Sequence, residues 1–455
     1  MNADDTIAAI STPPGRGGIG IVRISGPRSL AIASILFHAE SGHWVPAANQ
    51  AYVGRVRGAD GEDLDYSVAT YFKGPRSYTG EDVVEFGCHG SPLVLRTVLD
   101  LALGAGARMA EPGEFTLRAF LNGRIDLSQA QAVRDLIDAQ TMFQARIAMR
   151  QMEGSMAAAL SPVKRILIDA AVHLESSIEF VEDDITPEAR SSLTAKLGEA
   201  RETLGELERT FSVGRLVREG FDLAIVGRPN VGKSSVFNRL VGSERAIVTE
   251  VPGTTRDALR EHVSISGIPV RLIDTAGIRE TSDPIEQIGI DRSRRAIADA
   301  DVSLVIFDRS EPIALEEIAL LESIPKGSRL VLMNKCDLPA AGSASLGESA
   351  GTTIEVSALT GRGFDKLIGA LLDLLGAGAA AEHDDAIITD ARQHQAIRRA
   401  TDLLSGAMEL MEGGELEEIV LLRLRGALAA LGELTGETLT DDILAQIFST
   451  FCIGK

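Results

Sequence analysis

Gly227-Arg228-Pro229-Asn230-Val231-Gly232-Lys233-Ser234 follows directly on the apolar run Phe221–Val226, and the fold turns on how this stretch is read. An apolar run ending in a glycine-rich turn predicts a buried strand that opens onto a helix N-terminus. The glycines let the backbone wrap an anion with its N–H groups pointing inward. Lys233 is then placed to neutralise β- and γ-phosphates, which gives it a catalytic as well as a binding role. The Ser234 hydroxyl, with Ser235 beside it, is placed to reach a magnesium ion. Taken alone, the loop specifies only a nucleotide.

The next motifs outward sharpen this. Asn334-Lys335-Cys336-Asp337 follows a second buried run, and Ser357-Ala358-Leu359 a third. The Asp337 carboxylate can accept from guanine N1–H and the exocyclic amine, a donor pair adenine lacks. Asn334 can donate to N7, the Lys335 stem can lie along the base, and the Ser357–Leu359 loop can offer an N–H to O6. Asp274-Thr275-Ala276-Gly277 supplies a carboxylate for water-mediated magnesium contact and an amide for the γ-phosphate. Gly253-Thr254-Thr255 stands where a γ-phosphate-sensing loop belongs, with Thr255 the choice for magnesium and Arg256 either an arginine finger or a loop anchor. The order predicts a GTP site. Ile278 occupies the position where Ras-like enzymes carry a water-orienting Gln. Another group must therefore do that work, and Glu280, Asp283 and Glu286 are the candidates.

Strand-like runs Val270–Ile273, Ser303–Phe307, Arg329–Met333 and Thr353–Val356 alternate with helix-like stretches, a doubly wound α/β pattern. Residues 1–120 read as an α+β domain, with β-like runs Ile19–Ile24, Ala51–Val56, Tyr66–Phe72 and Val83–Phe86 and helix-like Ser29–Phe37 and Pro92–Leu103. Helical periodicity fills 121–216 and returns over 378–455, so the α/β segment 217–377 is expected to be inserted into one helical domain. Two separate helical bundles are the alternative. Ala340–Ala350 reads as a loop.

Composition bounds the rest. A chain of 455 residues needs several cores. Three cysteines, Cys88, Cys336 and Cys452, make no disulfide framework and fit a reducing cytoplasm. No apolar run approaches the roughly 20 residues of a membrane span, and no secretory signal is visible. A formal net charge of −20 opposes indiscriminate nucleic-acid binding.

With Pro14–Gly26 (PGRGGIGIVRISG), Ser77–Asp82 (SYTGED), Pro112–Thr116 (PGEFT), Ala119–Gly123 (AFLNG) and the tail Phe451–Lys455 (FCIGK), the sequence resembles the MnmE (TrmE) tRNA-modification GTPases over nearly its whole length. GTPases of the Era and Der type share the nucleotide motifs but not this frame. The resemblance implies a multidomain protein: an N-terminal α+β folate-binding domain that dimerises the chain, an α-helical domain, and an inserted Ras-like α/β GTPase domain. It implies a homodimer acting on tRNA with the flavoprotein MnmG (GidA) in a heterotetramer-type complex. The modification that the resemblance implies is an aminomethyl-type group on C5 of the wobble uridine.

Site residues carried over on the same ground are Glu286 as the catalytic glutamate and Asn230, Thr249, Val251 and Thr254 as potassium ligands. Glu250 and Pro252 belong to the same nucleotide loop. Arg23, Glu85, Arg124 and Lys455 would form a pocket for 5-formyl-tetrahydrofolate or another tetrahydrofolate one-carbon donor. The family motif makes Cys452 a candidate thiol, against the usual fate of a lone cysteine as buried packing. His89 is either a ligand contact or a satisfied structural histidine. Competing classes are a regulatory GTP switch in ribosome assembly or stress response, and a one-carbon transferase with GTP as effector only.

Overall fold

The computed structural model describes residues 5–40, 42, 44–58, 60–179, 187–243, 261–273, 297, 300–341, 351–376, 386–414 and 416–454. Its contacts divide the chain into two compact units, Met1–Arg134 with Gly432–Lys455, and Asp135–Leu431.

The first unit is built on a seven-stranded sheet in the order β3-β4-β5-β6-β2-β1-β7. The strands are β1 (Ile7–Ile10), β2 (Gly17–Ser25), β3 (Phe37–Ala39), β4 (Ala51–Arg57), β5 (Asp63–Phe72), β6 (Val83–Gly90) and β7 (Arg108–Met109). All neighbours run antiparallel except β1 and β7. Side chains alternate across a strand, so Val22, Ile24, Val84, Phe86 and Cys88 face one way, into a core with Ile32, Ala33, Val98, Leu99 and Ala102 of the helices Ser29–Leu36 and Pro92–Gly104. Arg23 and Glu85, directly opposite in register, necessarily take the other face.

The helix Asp441–Phe448 returns to this unit, where Leu444, Phe448 and Phe451 pack with Leu117, Leu127 and Ala130. Two glycines make room for the end of the chain. A Cβ on Gly113 (φ +69°) would lie 2.6 Å from Phe448 O, and one on Gly454 (φ +94°) 2.4 Å from Ile10 O. The tail therefore lies against the first strand.

In the second unit a six-stranded sheet runs β13-β12-β11-β8-β10-β9. Its members are β8 (Phe221–Val226), β9 (Glu261–Ile265), β10 (Ile268–Ile273), β11 (Val302–Asp308), β12 (Arg329–Asn334) and β13 (Thr353–Glu355). Only β9 is antiparallel to its neighbour. Every residue of β11 is buried, as a parallel strand covered on both faces requires. The chain leaves β8 toward β10 and then returns on the other side as β11. That reversal makes the crevice beyond the carboxyl ends of β8 and β11 the place where such sheets bind ligands.

Helices before and after this sheet meet. Arg218 pairs with Asp390 at 2.6 Å, Gln151 Nε2 donates to Ile387 O at 2.9 Å, and Ile388 N donates to Thr210 Oγ1 at 3.0 Å. The Phe211 and His394 rings stack with centroids 4.1 Å apart. Asp390 also accepts from the Arg392 and Gln393 amides, capping the helix Ala391–Gly413. Among the described residues, no helix is long and apolar enough to cross a membrane.

Candidate nucleotide and anion sites

After β8 the chain turns through Asn230 (φ +67°) and Gly232 (φ +98°) into the helix Lys233–Ser243. A Cβ on Gly232 would stand 2.2 Å from Asn334 Nδ2, so a bare glycine lets two loops close on each other. Lys233 Nζ donates to Gly227 O and Arg228 O, both at 2.8 Å. Those bonds fold the ammonium over its own loop and leave the third N–H for a phosphate oxygen. Burial lowers the Lys233 pKa below the usual lysine range, and an arriving phosphate would reverse that shift. Ser234 opens the same helix, with Ser235 next to it.

Asn334 ends β12, almost fully buried. Its Nδ2 donates to Val231 O at 2.9 Å, and its Oδ1 accepts from Ala358 N at 3.1 Å. One amide thus ties the phosphate loop to the Ser357-Ala358-Leu359 loop, a role the sequence reading did not assign beside its N7 contact. Lys335 follows in the left-handed region (φ +62°). Ser357 Oγ donates to Asp337 Oδ1 at 2.5 Å, which holds that carboxylate with one oxygen committed and the other available. Leu359 is 81% exposed at the rim.

In the first unit, Arg23 Nε donates to Glu85 Oε1 at 2.7 Å, and its Nη1 reaches Gly454 O at 3.5 Å. The guanidinium carbon lies 5.5 Å from the ring centres of both Tyr78 and Phe115, within cation–π range. The Tyr78 hydroxyl bonds Thr116 Oγ1 at 2.9 Å, and burial raises its pKa. Arg124 is exposed on the turn after the helix Glu114–Leu121, close enough to Gly80 that a Cβ there would lie 3.2 Å from its Cγ. Cys452 is exposed, unlike buried Cys88 and Cys336. It is not the packed thiol that a lone cysteine usually is, because only its neighbour Phe451 turns into the core. His89 is surface-exposed and its Nδ1 meets Asp65 Oδ1 at 2.7 Å, which gives it a partner of its own.

Two family models match, the MnmE helical domain over residues 127–452 and the GTP-binding protein TrmE N-terminus over residues 6–124. A tRNA modification GTPase MnmE of Koribacter versatilis is 47% identical, with 100% of both chains covered. Proteins of the same name from Symbiobacterium thermophilum and Aquifex aeolicus are 45% and 42% identical, each over 99% of this chain and 100% of theirs. The chain belongs to the MnmE family of tRNA modification GTPases.

Within this MnmE-family chain, several expected site residues lie outside the described residues: Thr249, Glu250, Val251, Pro252, Gly253, Thr254, Thr255, Arg256, Asp274, Thr275, Ala276, Gly277, Glu280, Asp283, Glu286 and Lys455. Among the described residues, hydrogen bonds join Asn334 to Val231 and Ala358 and Ser357 to Asp337, with Gly232 against Asn334 and with Asn230 and Lys233 beside them in the chain. Sequence reading missed Asp308, whose buried carboxylate takes Lys335 Nζ at 2.6 Å. It also missed Arg108 and Arg118, which bind the motif residues Glu114 and Glu81. Arg118 carries a local signal, standing four residues after Glu114 on one helix, whereas Arg108 at a strand end carries none.

Proposed function

We propose that this MnmE-family chain hydrolyses GTP in a potassium-dependent manner and is the nucleotide-driven component of tRNA wobble-uridine (position 34) C5 modification. It acts as a homodimer with the flavoprotein MnmG (GidA), adding an aminomethyl or carboxymethylaminomethyl group with a folate one-carbon unit. The division into segments 1–120, 121–216, 217–377 and 378–455 belongs to the same reading.

The observation that carries the GTP assignment is the Asn334 amide bridging Val231 and Ala358, because it gathers the phosphate loop and both base loops around a single space. Asp337, held by Ser357, then faces guanine with a carboxylate oxygen. Lys233 neutralises the β/γ-phosphates, and the helix beginning at Lys233 adds its N-terminal amides. Ser234 and Thr255 would hold magnesium. Asn230, Thr249, Val251 and Thr254 would hold potassium, an ion suited to hard oxygen ligands from a loop. Its charge would stabilise the γ-phosphate in place of an arginine finger. Glu286 would orient the attacking water.

The Arg23 cluster fits a folate. Glu85 can accept from pterin N–H donors, the cations Arg23, Arg124 and Lys455 suit carboxylates, and the rings of Tyr78 and Phe115 flank Arg23. The folate supplies the one-carbon unit when bound. The chain's own residues orient it beside the Cys452 tail.

GTP turnover in potassium chloride is expected to exceed that in sodium chloride by at least about tenfold, the scale of one transition-state charge contact. Equal rates in a steady-state phosphate-release assay would defeat the potassium assignment. Deleting the coding sequence is expected to remove the C5 substituent from wobble uridines in nucleoside mass spectra of total tRNA, and an unchanged spectrum would refute the tRNA role.

A further inference from the structure

Four residues that belong to no nucleotide motif, Asp308 to Glu311, connect the phosphate loop to the Asn334–Asp337 loop among the described residues. Asp308 ends the fully buried strand β11, on one side of the sheet's reversal point. Its Oδ2 takes Lys335 Nζ at 2.6 Å, while Oδ1 accepts from Ser310 N at 2.9 Å and Ser310 Oγ at 2.6 Å. Arg309 N donates to Asn334 O at 2.9 Å, its Nη1 donates to Leu338 O at 3.3 Å, and its Nε pairs with Glu355 at 3.2 Å. Glu311 forms an ion pair with Arg228 of the phosphate loop, and Arg228 also lies 3.2 Å from Glu317. The segment 308–311 therefore joins the phosphate loop, the Asn334–Asp337 loop and the strand leading to Ser357.

Lys335 is the residue that most needs such support. Its backbone is held at φ +62°, a conformation that costs a non-glycine residue energy and persists only where surroundings enforce it. A lysine stem also has wide rotamer freedom. Unpaired, it would sample many positions, and few of them would form a flat apolar wall for a base. Clamping the ammonium on a carboxylate that is itself fixed by two Ser310 donors confines the stem before any ligand arrives, and preorganisation of this kind raises affinity.

We propose that the turn 308–311 is a brace setting the base-reading loop against the phosphate loop, with Asp308 the positioning residue that holds the Lys335 stem as one wall of the guanine site. This rests on the GTP reading above.

The test is a fluorescence titration of the full-length chain with a mant-labelled GDP, with stopped-flow dissociation and a thermal melt on each variant. Wild type is measured first against the ADP analogue. Absence of a guanine preference there overturns the GTP reading and the brace together. Given that preference, Asp308→Asn is expected to weaken mant-GDP about tenfold, equivalent to about 1.4 kcal/mol, chiefly through faster dissociation, with a melting temperature that stays well above the titration temperature. In a Lys335→Met background, where the stem remains but the clamp is gone, adding Asp308→Asn is expected to change nothing further. Unaltered affinity in the single variant, or losses that multiply in the double, would sink the brace and leave the GTP reading standing. Should Asp308→Asn fail to fold, Ser310→Ala takes its place. It loosens Asp308 while keeping its charge, and is expected to weaken binding about threefold in the wild-type background only. No change in both backgrounds, or equal change in both, refutes the assignment.

Discussion

Asp337→Asn is expected to weaken GTP by roughly two to three powers of ten and to make xanthosine triphosphate the preferred nucleotide. The carboxylate has one oxygen held by the Ser357 hydroxyl at 2.5 Å, so the second is positioned to accept from guanine N1–H and the exocyclic amine. An asparagine keeps the shape and can still accept from Ser357, but its amide nitrogen then points donors at donors. Two hydrogen bonds to a charged group are lost, each worth about 1.5–3 kcal/mol, and a donor clash is added. Xanthine carries an oxygen where guanine carries the amine, and the new N–H₂ meets it. Competition titrations with both triphosphates decide the matter. A variant that keeps guanine preference would mean that Asp337 does not read the base. Because the change leaves the Ser357 contact and the volume intact, the melting temperature should not move, which separates lost recognition from lost folding.

How much of this was legible in the sequence depends on what fixes each residue. Asn334, Asp337 and Gly232 stand out in the sequence because a guanine nucleotide's dimensions would dictate their types and order. The buried parallel strands were legible as unbroken apolar runs such as Ser303–Phe307, which lies within β11. Asp308 was not, since an aspartate ending a strand resembles any turn residue, and its partner Lys335 is reached only through the pairing of β11 with β12. For Cys452 the sequence left a candidate thiol and buried packing both open; in the fold Phe451 turns inward while the thiol is exposed. The motif segment around Glu81 could be quoted yet not explained, because the arginine it holds, Arg118, comes from the distant helix Glu114–Leu121.

Arg118 and Arg108 carry the largest expected effect on stability. Arg118 Nη2 donates to Asp5 Oδ1 at 2.5 Å and to Glu114 Oε1 at 3.0 Å, while its Nη1 reaches the Asp5 carbonyl at 2.9 Å and Glu81 Oε1 at 3.1 Å. Arg108 meets the same acids, with Nη2 at 2.6 Å from Glu114 and Nε at 2.8 Å from Asp5. Glu114 is 1% exposed, so removing Arg118 leaves a carboxylate that water cannot reach dependent on Arg108 and the Glu111 amide, and it takes from Glu81 its guanidinium partner. Arg118→Met should therefore cost about 3 kcal/mol, the lower end of the penalty for breaking a buried pair from one side, because Arg108 remains. That predicts a fall of about 10 °C in the calorimetric transition of this unit.

The pH dependence has a definite sign. The hydrogen bond from Arg108 is the largest influence on Asp5 and, with Arg118, lowers its pKa despite opposing burial. Burial raises that of Glu114, but Arg108, the Glu111 amide and Arg118 together outweigh it and leave it lowered. Carboxyls depressed in the folded state stabilise it fully above their unfolded values and lose that contribution as pH falls through the folded ones. Wild type should thus hold its melting temperature down to about pH 4 and lose it below, whereas in Arg118→Met the carboxyls are less depressed, so the deficit against wild type should be largest near pH 7 and narrow as pH falls below about 4. The effect reaches the surroundings of Arg23, because Glu81 also accepts from Ser25 at 2.7 Å. Thr79, bonded to Ser25 at 2.7 Å, fixes the segment that lays Tyr78 beside Arg23. A variant melting within 1 °C of wild type at pH 7, with the same acid limb, would show that these five charges are not a unit.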